Sequence, residues 1–112
     1  GNLIIQDEAL FVIDWQTVDF DGVADPWVDF KSIGVEHTAF AVGQIDGYFD
    51  SQVPEEFWRI LALYLATSAI TSIVWAKYFA PDCLDSIMEL NRNVVKWYDK
   101  MKQVIPTWYR EF

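Results

Sequence analysis

Asn2 and Asp14 flank two short apolar runs, Leu3 to Ile5 and Leu10 to Ile13. Gln6-Asp7-Glu8-Ala9 separates the runs and reads as a turn, and the second run is rich in β-branched and aromatic residues. Together they predict a β-hairpin. Antiparallel strands of near-equal length return to their starting point, so one amide oxygen and one carboxylate come to face a common place. That donor set suits Mg²⁺, a hard cation that takes oxygen ligands and keeps several waters and phosphate oxygens.

Asp25-Pro26 is a second signal. Asp accepts N–H bonds as an N-cap and Pro has the φ of a first helical position. Asp29 falls near the first turn, where the macrodipole favours an anion. Capping accounts fully for Asp25, Pro26 and Asp29, which read as structural. Other chemistry finds little support. Asp19-Phe20-Asp21-Gly22 lacks the further ligand position that an EF-hand loop needs before its Gly. His37 is the single His and Cys83 the single Cys, so they cannot build a zinc site alone. Both read as ordinary residues, His37 on the surface or in a helix. The aromatic residues could cage a quaternary ammonium, but their helical spacing favours the core.

The elements that position these residues follow from local signals. The second apolar run is apolar on both faces and predicts cover on both sides. A short helix is expected from Pro26 to about Ile33, stopped at Gly34. A second runs from Glu36 to about Phe49, with Ala39, Gly43 and Gly47 on one face, where close helix–helix approach would offset the cost of about 1 kcal/mol for each Gly; a break near Gly47 is the alternative. Pro54-Glu55-Glu56 opens the longest helix, to about Phe79 before Pro81. Seventeen uncharged residues lie between Arg59 and Lys77; a span needs ~20 predominantly apolar ones, so a buried core helix is expected rather than a membrane-spanning one. Leu84 to about Val104 keeps helical spacing and stops before Pro106. The fold class is therefore mainly α with a short N-terminal β-hairpin, an α+β arrangement.

The chain has 112 residues and a net charge of −9, room for one domain at most or a piece of one. A composition that is 53% hydrophobic and 17% aromatic excludes disorder. Residues 1–56 hold twelve acids against one base (−11), and residues 57–112 hold five acids against seven bases (+2). Such a balance argues against nucleic acid and anionic membrane surfaces as partners, and leaves cationic ligands and divalent metals open. A lone thiol and no visible secretory signal point to a reducing, cytoplasmic setting.

In kinase-type phosphoryl transfer, an Asn of the catalytic loop and an Asp after the next hairpin hold the metals on ATP. Here the first thirty residues resemble a family. Asn2 resembles the end of the H-x-D-x-x-x-x-N catalytic loop of the aminoglycoside phosphotransferase and choline kinase-like family. Val12-Ile13-Asp14-Trp15 is similar to its metal-binding I-D-W/F/Y motif. Asp25-Pro26 with Asp29 resembles its G-D-P-x-x-D motif, with Ala24 in place of Gly. The resemblance implies the C-terminal helical subdomain of a protein-kinase-like fold, a single truncated unit over 1–112. Residues 1–24 would be the hairpin and metal-binding loop, and 25–112 the helical substrate side.

It further implies an ATP-dependent small-molecule phosphotransferase that uses Mg²⁺ and ATP, with Asn2 and Asp14 as metal ligands. The general base and nucleotide lobe would lie upstream, so this chain would be inactive alone and hold neither cofactor tightly. The acceptor would be a small-molecule hydroxyl, an aminoglycoside-like or other amine-bearing alcohol first, as the acidic first half suits a cation. The family also holds sugar, amino-acid and macrolide kinases. Glu111-Phe112 resembles the acidic end that contacts drug amines in some aminoglycoside kinases. Apolar hairpin surface left uncovered predicts a homodimer. A non-enzymatic helical interaction module is the alternative.

Overall fold

In the computed structural model, residues 2–14, 22–31 and 37–110 are described. Leu3–Gln6 (β1) and Ala9–Val12 (β2) pair antiparallel, with Leu3 opposite Val12 and Gln6 opposite Ala9. The turn residues Asp7 and Glu8 both have positive φ, 49° and 64°, as a two-residue hairpin turn of the tight kind requires. All eight strand residues are exposed, which corrects the expectation of cover on both faces. Two strands make a single layer, and a layer buries its side chains only when another packs on it.

Pro26–Asp29 forms a 3-10 turn, followed by helical Phe30 and Lys31, where the sequence predicts an α-helix from Pro26. Its expected stop at Ile33 and Gly34 lies outside the described residues, as does Glu36. The turn delivers Trp27 and Phe30 to the core.

Helix α1 covers Thr38–Phe49 and buries Ala41 and Ile45. Gly43 and Gly47 sit on its exposed side, where an added Cβ would meet nothing within 4 Å. No close helix approach compensates for them, contrary to expectation. Gly43→Ala and Gly47→Ala should each stabilise the fold by about 1 kcal/mol, read as a rise in the urea midpoint at unchanged slope.

Helix α2 covers Glu55–Phe79, with Pro54 at its cap, Glu55 and Glu56 in its first turn and Lys77 in its last. Phe57, Trp58, Leu61, Ala62 and Leu65 are buried in its first half; beyond them only Ala76 is. The expected core helix is thus buried at one end and exposed at the other. Pro81–Cys83 makes a 3-10 turn into helix α3, Leu84–Trp97, which packs on α2. Asn91 Nδ2 on α3 donates to the Ala69 carbonyl at 3.0 Å and to Ser72 Oγ at 3.3 Å. This bond supplies a partner for a polar group between helices that would otherwise be costly to bury.

Helix α3 stops seven residues short of Val104. Asp99, Lys100 and Met101 take positive φ of 44°, 57° and 63°, and the Lys100 N–H donates to the Val95 carbonyl at 2.8 Å. Tyr98 at the break is fully buried, and the turn sends the chain back so that Trp108 enters the core at 3% exposure. Burial of these two rings offsets three residues in a conformation that L side chains disfavour. Helix α4, Thr107–Arg110, then packs against α1.

The centre of the core is aromatic. Phe57 is fully buried, with ring centroids of Trp27 at 5.5 Å, Phe30 at 5.2 Å, Phe49 at 4.8 Å and Trp58 at 5.1 Å, all edge-on. Edge-to-face packing is what the ring quadrupoles favour. Of the two roles considered for the aromatic residues, core packing is therefore the one these rings fill.

Candidate functional site

The hairpin register sets Asn2 opposite Ile13. Beyond the Leu3–Val12 pair, the Ile13 N–H donates to the Asn2 carbonyl at 2.9 Å. The ladder thus continues one step past the strands, and Asp14 is the next residue. Both Asn2 and Asp14 are exposed at the open end of the hairpin. Asp14 has a φ of 65°, a left-handed conformation costing a non-glycine residue roughly 1–2 kcal/mol. Strain of this kind concentrates where a side chain must be aimed for function. Asn2 offers an amide oxygen and Asp14 a carboxylate oxygen, the hard donor class that Mg²⁺ takes. Among the described residues no group of three or more His, Cys, Asp or Glu gathers as a cation cage. Trp15 and the Asp19–Asp21 stretch lie outside the described residues.

Asp25 is engaged elsewhere. Its Oδ1 accepts from the Trp27 N–H at 2.9 Å, capping the 3-10 turn, and its Oδ2 accepts from Tyr64 Oη on α2 at 2.6 Å. The Tyr64 hydroxyl first, and the Trp27 N–H second, hold the Asp25 carboxyl below the ordinary carboxylate range; the same contact raises Tyr64. With both oxygens bonded within the fold, Asp25 anchors the segment after the hairpin to the longest helix. Pro26 occupies the first position of the turn and Asp29 is exposed in it. Tyr64 was not singled out by sequence reasoning. The only signal was a tyrosine within an uncharged run, whose hydroxyl would need a partner on burial.

The Tyr64–Asp25 bond has a pH signature. A carboxyl whose pKa is lower folded than unfolded adds stability above its ordinary value, and that stability is lost as pH falls through the lower folded value. Tyr64→Phe removes the largest cause of the lowering. It should make the chain unfold at a higher pH on acid titration followed by circular dichroism.

A second tyrosine–aspartate pair ties the tail to α1, with Tyr109 Oη donating to Asp46 Oδ1 at 2.7 Å. Desolvation first, then Asp46, pushes Tyr109 up to about 12. Glu111 and Phe112 lie outside the described residues. His37 is exposed at the N-cap of α1 without a capping bond from its side chain, and Cys83 is an exposed free thiol. A groove along α3, between Met88, Asn91 and Val95, is rimmed by Arg92 and Lys96. That charge is the wrong sign for a cationic acceptor.

No protein-family model matches this chain, and neither a curated protein nor a solved structure is similar to it. The resemblance seen in Asn2, in Val12 to Trp15 and in Asp25 to Asp29 rests on those residues alone.

Proposed function

We propose that this chain is the metal-binding and acceptor-side part of an ATP-dependent small-molecule phosphotransferase of the aminoglycoside phosphotransferase-like kind, with a protein-kinase-like fold. The observation that carries the reading is the register that sets Asn2 beside Ile13 and leaves Asp14, at positive φ, as the next residue. Mg²⁺ bound there with ATP would neutralise charge developing on the transferred phosphoryl group. Asn2 and Asp14 contribute one amide and one carboxylate oxygen; Asp25 and Tyr64 hold the following segment against α2. The acidic first half draws an amine-bearing alcohol toward the same end of the chain. Proton removal from the acceptor hydroxyl falls to a base upstream of Asn2.

Phosphoryl transfer is positioning plus charge neutralisation, so a partial site does almost nothing. The 112-residue chain should therefore show no ATP turnover. A longer chain that includes the residues preceding Asn2 should phosphorylate an aminoglycoside hydroxyl in a Mg²⁺-dependent way. There Asp14→Asn should lower kcat at least ~100-fold, while Asp29→Asn should change it only a few-fold. Turnover by the 112-residue chain alone, or an undiminished Asp14→Asn enzyme, would overturn the reading. The exposed apolar side chains of the hairpin and of the second half of α2 favour a second reading, a non-enzymatic helical interaction module.

A further inference from the structure

Helix α3 breaks where nothing local in the sequence asks it to. Asp99-Lys100-Met101-Lys102-Gln103 contains no Gly, Asn or Pro, and Lys, Met and Gln are good helix formers. Helices that end on a left-handed residue usually place Gly there. Here three residues with side chains take that conformation in a row, at φ of 44°, 57° and 63°. Helical bonding stands on both sides of them. The Tyr98 N–H donates to the Val94 carbonyl at 3.2 Å and the Lys102 N–H to the Tyr98 carbonyl at 3.0 Å, both with the i to i−4 spacing of an α-helix. Only Asp99, Lys100 and Met101 have to change hand for α3 to run on.

The tail holds the break in place. Pro106 and Trp108 are buried, the Tyr109 ring lies 4.4 Å from that of Trp58, and Tyr109 Oη donates to Asp46 Oδ1 at 2.7 Å. The seat is imperfect, because Trp108 Nε1 and Tyr98 Oη are both buried without a hydrogen-bond partner among the described residues, and each such group is costly. The continued helix offers compensation. Val94, Tyr98 and Met101 follow one another at spacings of four and three residues, which is one helix face. Val94 and Tyr98 are buried, whereas Met101 at the break is 44% exposed. A prolonged α3 also has a helix to lie on, since α2 reaches back from Ala69, which Asn91 holds, to Glu55.

We propose that Pro106 and α4 form a releasable latch whose hinge is Asp99–Met101. The chain exchanges between the latched state described above and an unlatched one. In the second state α3 continues through Gln103, Trp108 leaves the core, and the surface of α1 and α2 around Asp46 and Trp58 is bared. Three residues switch from left-handed to right-handed helix, so the states are discrete rather than a gradual fraying. Burial of Trp108 favours the first state; relief of the left-handed run and burial of Met101 favour the second. The latch is independent of the phosphotransferase reading.

Hydrogen exchange of the 112-residue chain, read residue by residue by nuclear magnetic resonance, tests it. The Trp108 indole N–H is shielded by burial alone, so unlatching should leave it less protected than the amides of Leu61 and Leu65. Lys100→Gly favours the left-handed state and disfavours the helix, and should slow exchange of that indole at least ~10-fold. Lys100→Ala, which relieves nothing at positive φ, should not slow it. Tyr109→Phe removes the tether to Asp46 and should speed it about tenfold. In Trp108→Ala the latch is gone, and the Cα shifts of Asp99 to Gln103 should become helical. Equal protection of the Trp108 indole and the Leu61 amide would overturn the proposal, as would an unchanged rate in Lys100→Gly. So would a folded Trp108→Ala chain whose Asp99–Met101 shifts stay left-handed or turn to coil. If Trp108→Ala does not fold, the Lys100→Gly and Tyr109→Phe rates, measured with the core intact, decide alone.

Discussion

Phe57→Ala should lower the stability of the fold by roughly 3–5 kcal/mol, a third or more of a typical domain's total. The cost of truncating a fully buried phenylalanine is the lost transfer energy plus the cavity left behind. Whole domains of this size are stable by only about 5–15 kcal/mol. Phe57 is the ring on which Trp27, Phe30, Phe49 and Trp58 all converge edge-on, at 4.8–5.5 Å. The 3-10 turn, α1 and α2 therefore lose their common contact together, and the site can collapse little around so many rigid rings. Ile5 is equally apolar in the sequence but 79% exposed in the hairpin. Ile5→Ala should change stability by less than about 0.5 kcal/mol. Urea titrations of the two variants, read at one temperature, check both halves of the expectation. Comparable losses for both would mean that the hairpin is buried and Phe57 is not the centre of the core.

Alkaline unfolding should begin near pH 10, and Tyr98 should govern it. Burial raises the Tyr98 phenol strongly, because its ionised form would have no solvent, and its hydroxyl has no hydrogen-bond partner among the described residues. A group whose pKa is higher folded than unfolded contributes stability that is complete below the unfolded value. That stability then fades as pH rises toward the folded value. Unfolded tyrosine titrates near pH 10, so the loss starts there. Tyr109 acts in the same direction over roughly pH 10 to 12, more weakly because it is only partly buried. Tyr98→Phe removes the titrating group and the unpaired hydroxyl at once. It should therefore be neutral or stabilising by about 1 kcal/mol at pH 7 and should shift the alkaline midpoint upward. Thermal melts between pH 7 and 12 measure this. A destabilised Tyr98→Phe at pH 7 would show that the hydroxyl has a partner in solution.

The proposed metal site and the core differ in how they were legible. The hairpin was legible in the sequence because two short apolar runs around a polar turn specify it locally, and its strands do pair antiparallel. Gly43 and Gly47 misled, because a glycine that permits close approach and a glycine that merely faces water look alike in one sequence. Tyr64 could not be found at all. Its bond to Asp25 spans 39 residues, and nothing local to either residue specifies the other.

The sequence by itself determined the order of elements and most of their edges. Pro26, Pro54 and Pro81 restrict their own φ and cannot donate, so they act on their immediate neighbours whatever the fold around them. The acids of the first turns and the β-branched hairpin run act equally locally. Only the tertiary structure decided which apolar residues are buried. Leu61 and Leu63 are two residues apart in one helix; one is at 1% exposure and the other at 63%. It also decided that α3 ends at Trp97, because the return of Trp108 to the core offsets a run of left-handed residues that local propensity would not choose. Caps and prolines act through bonds a few residues long, whereas burial depends on what the rest of the chain places opposite each side chain.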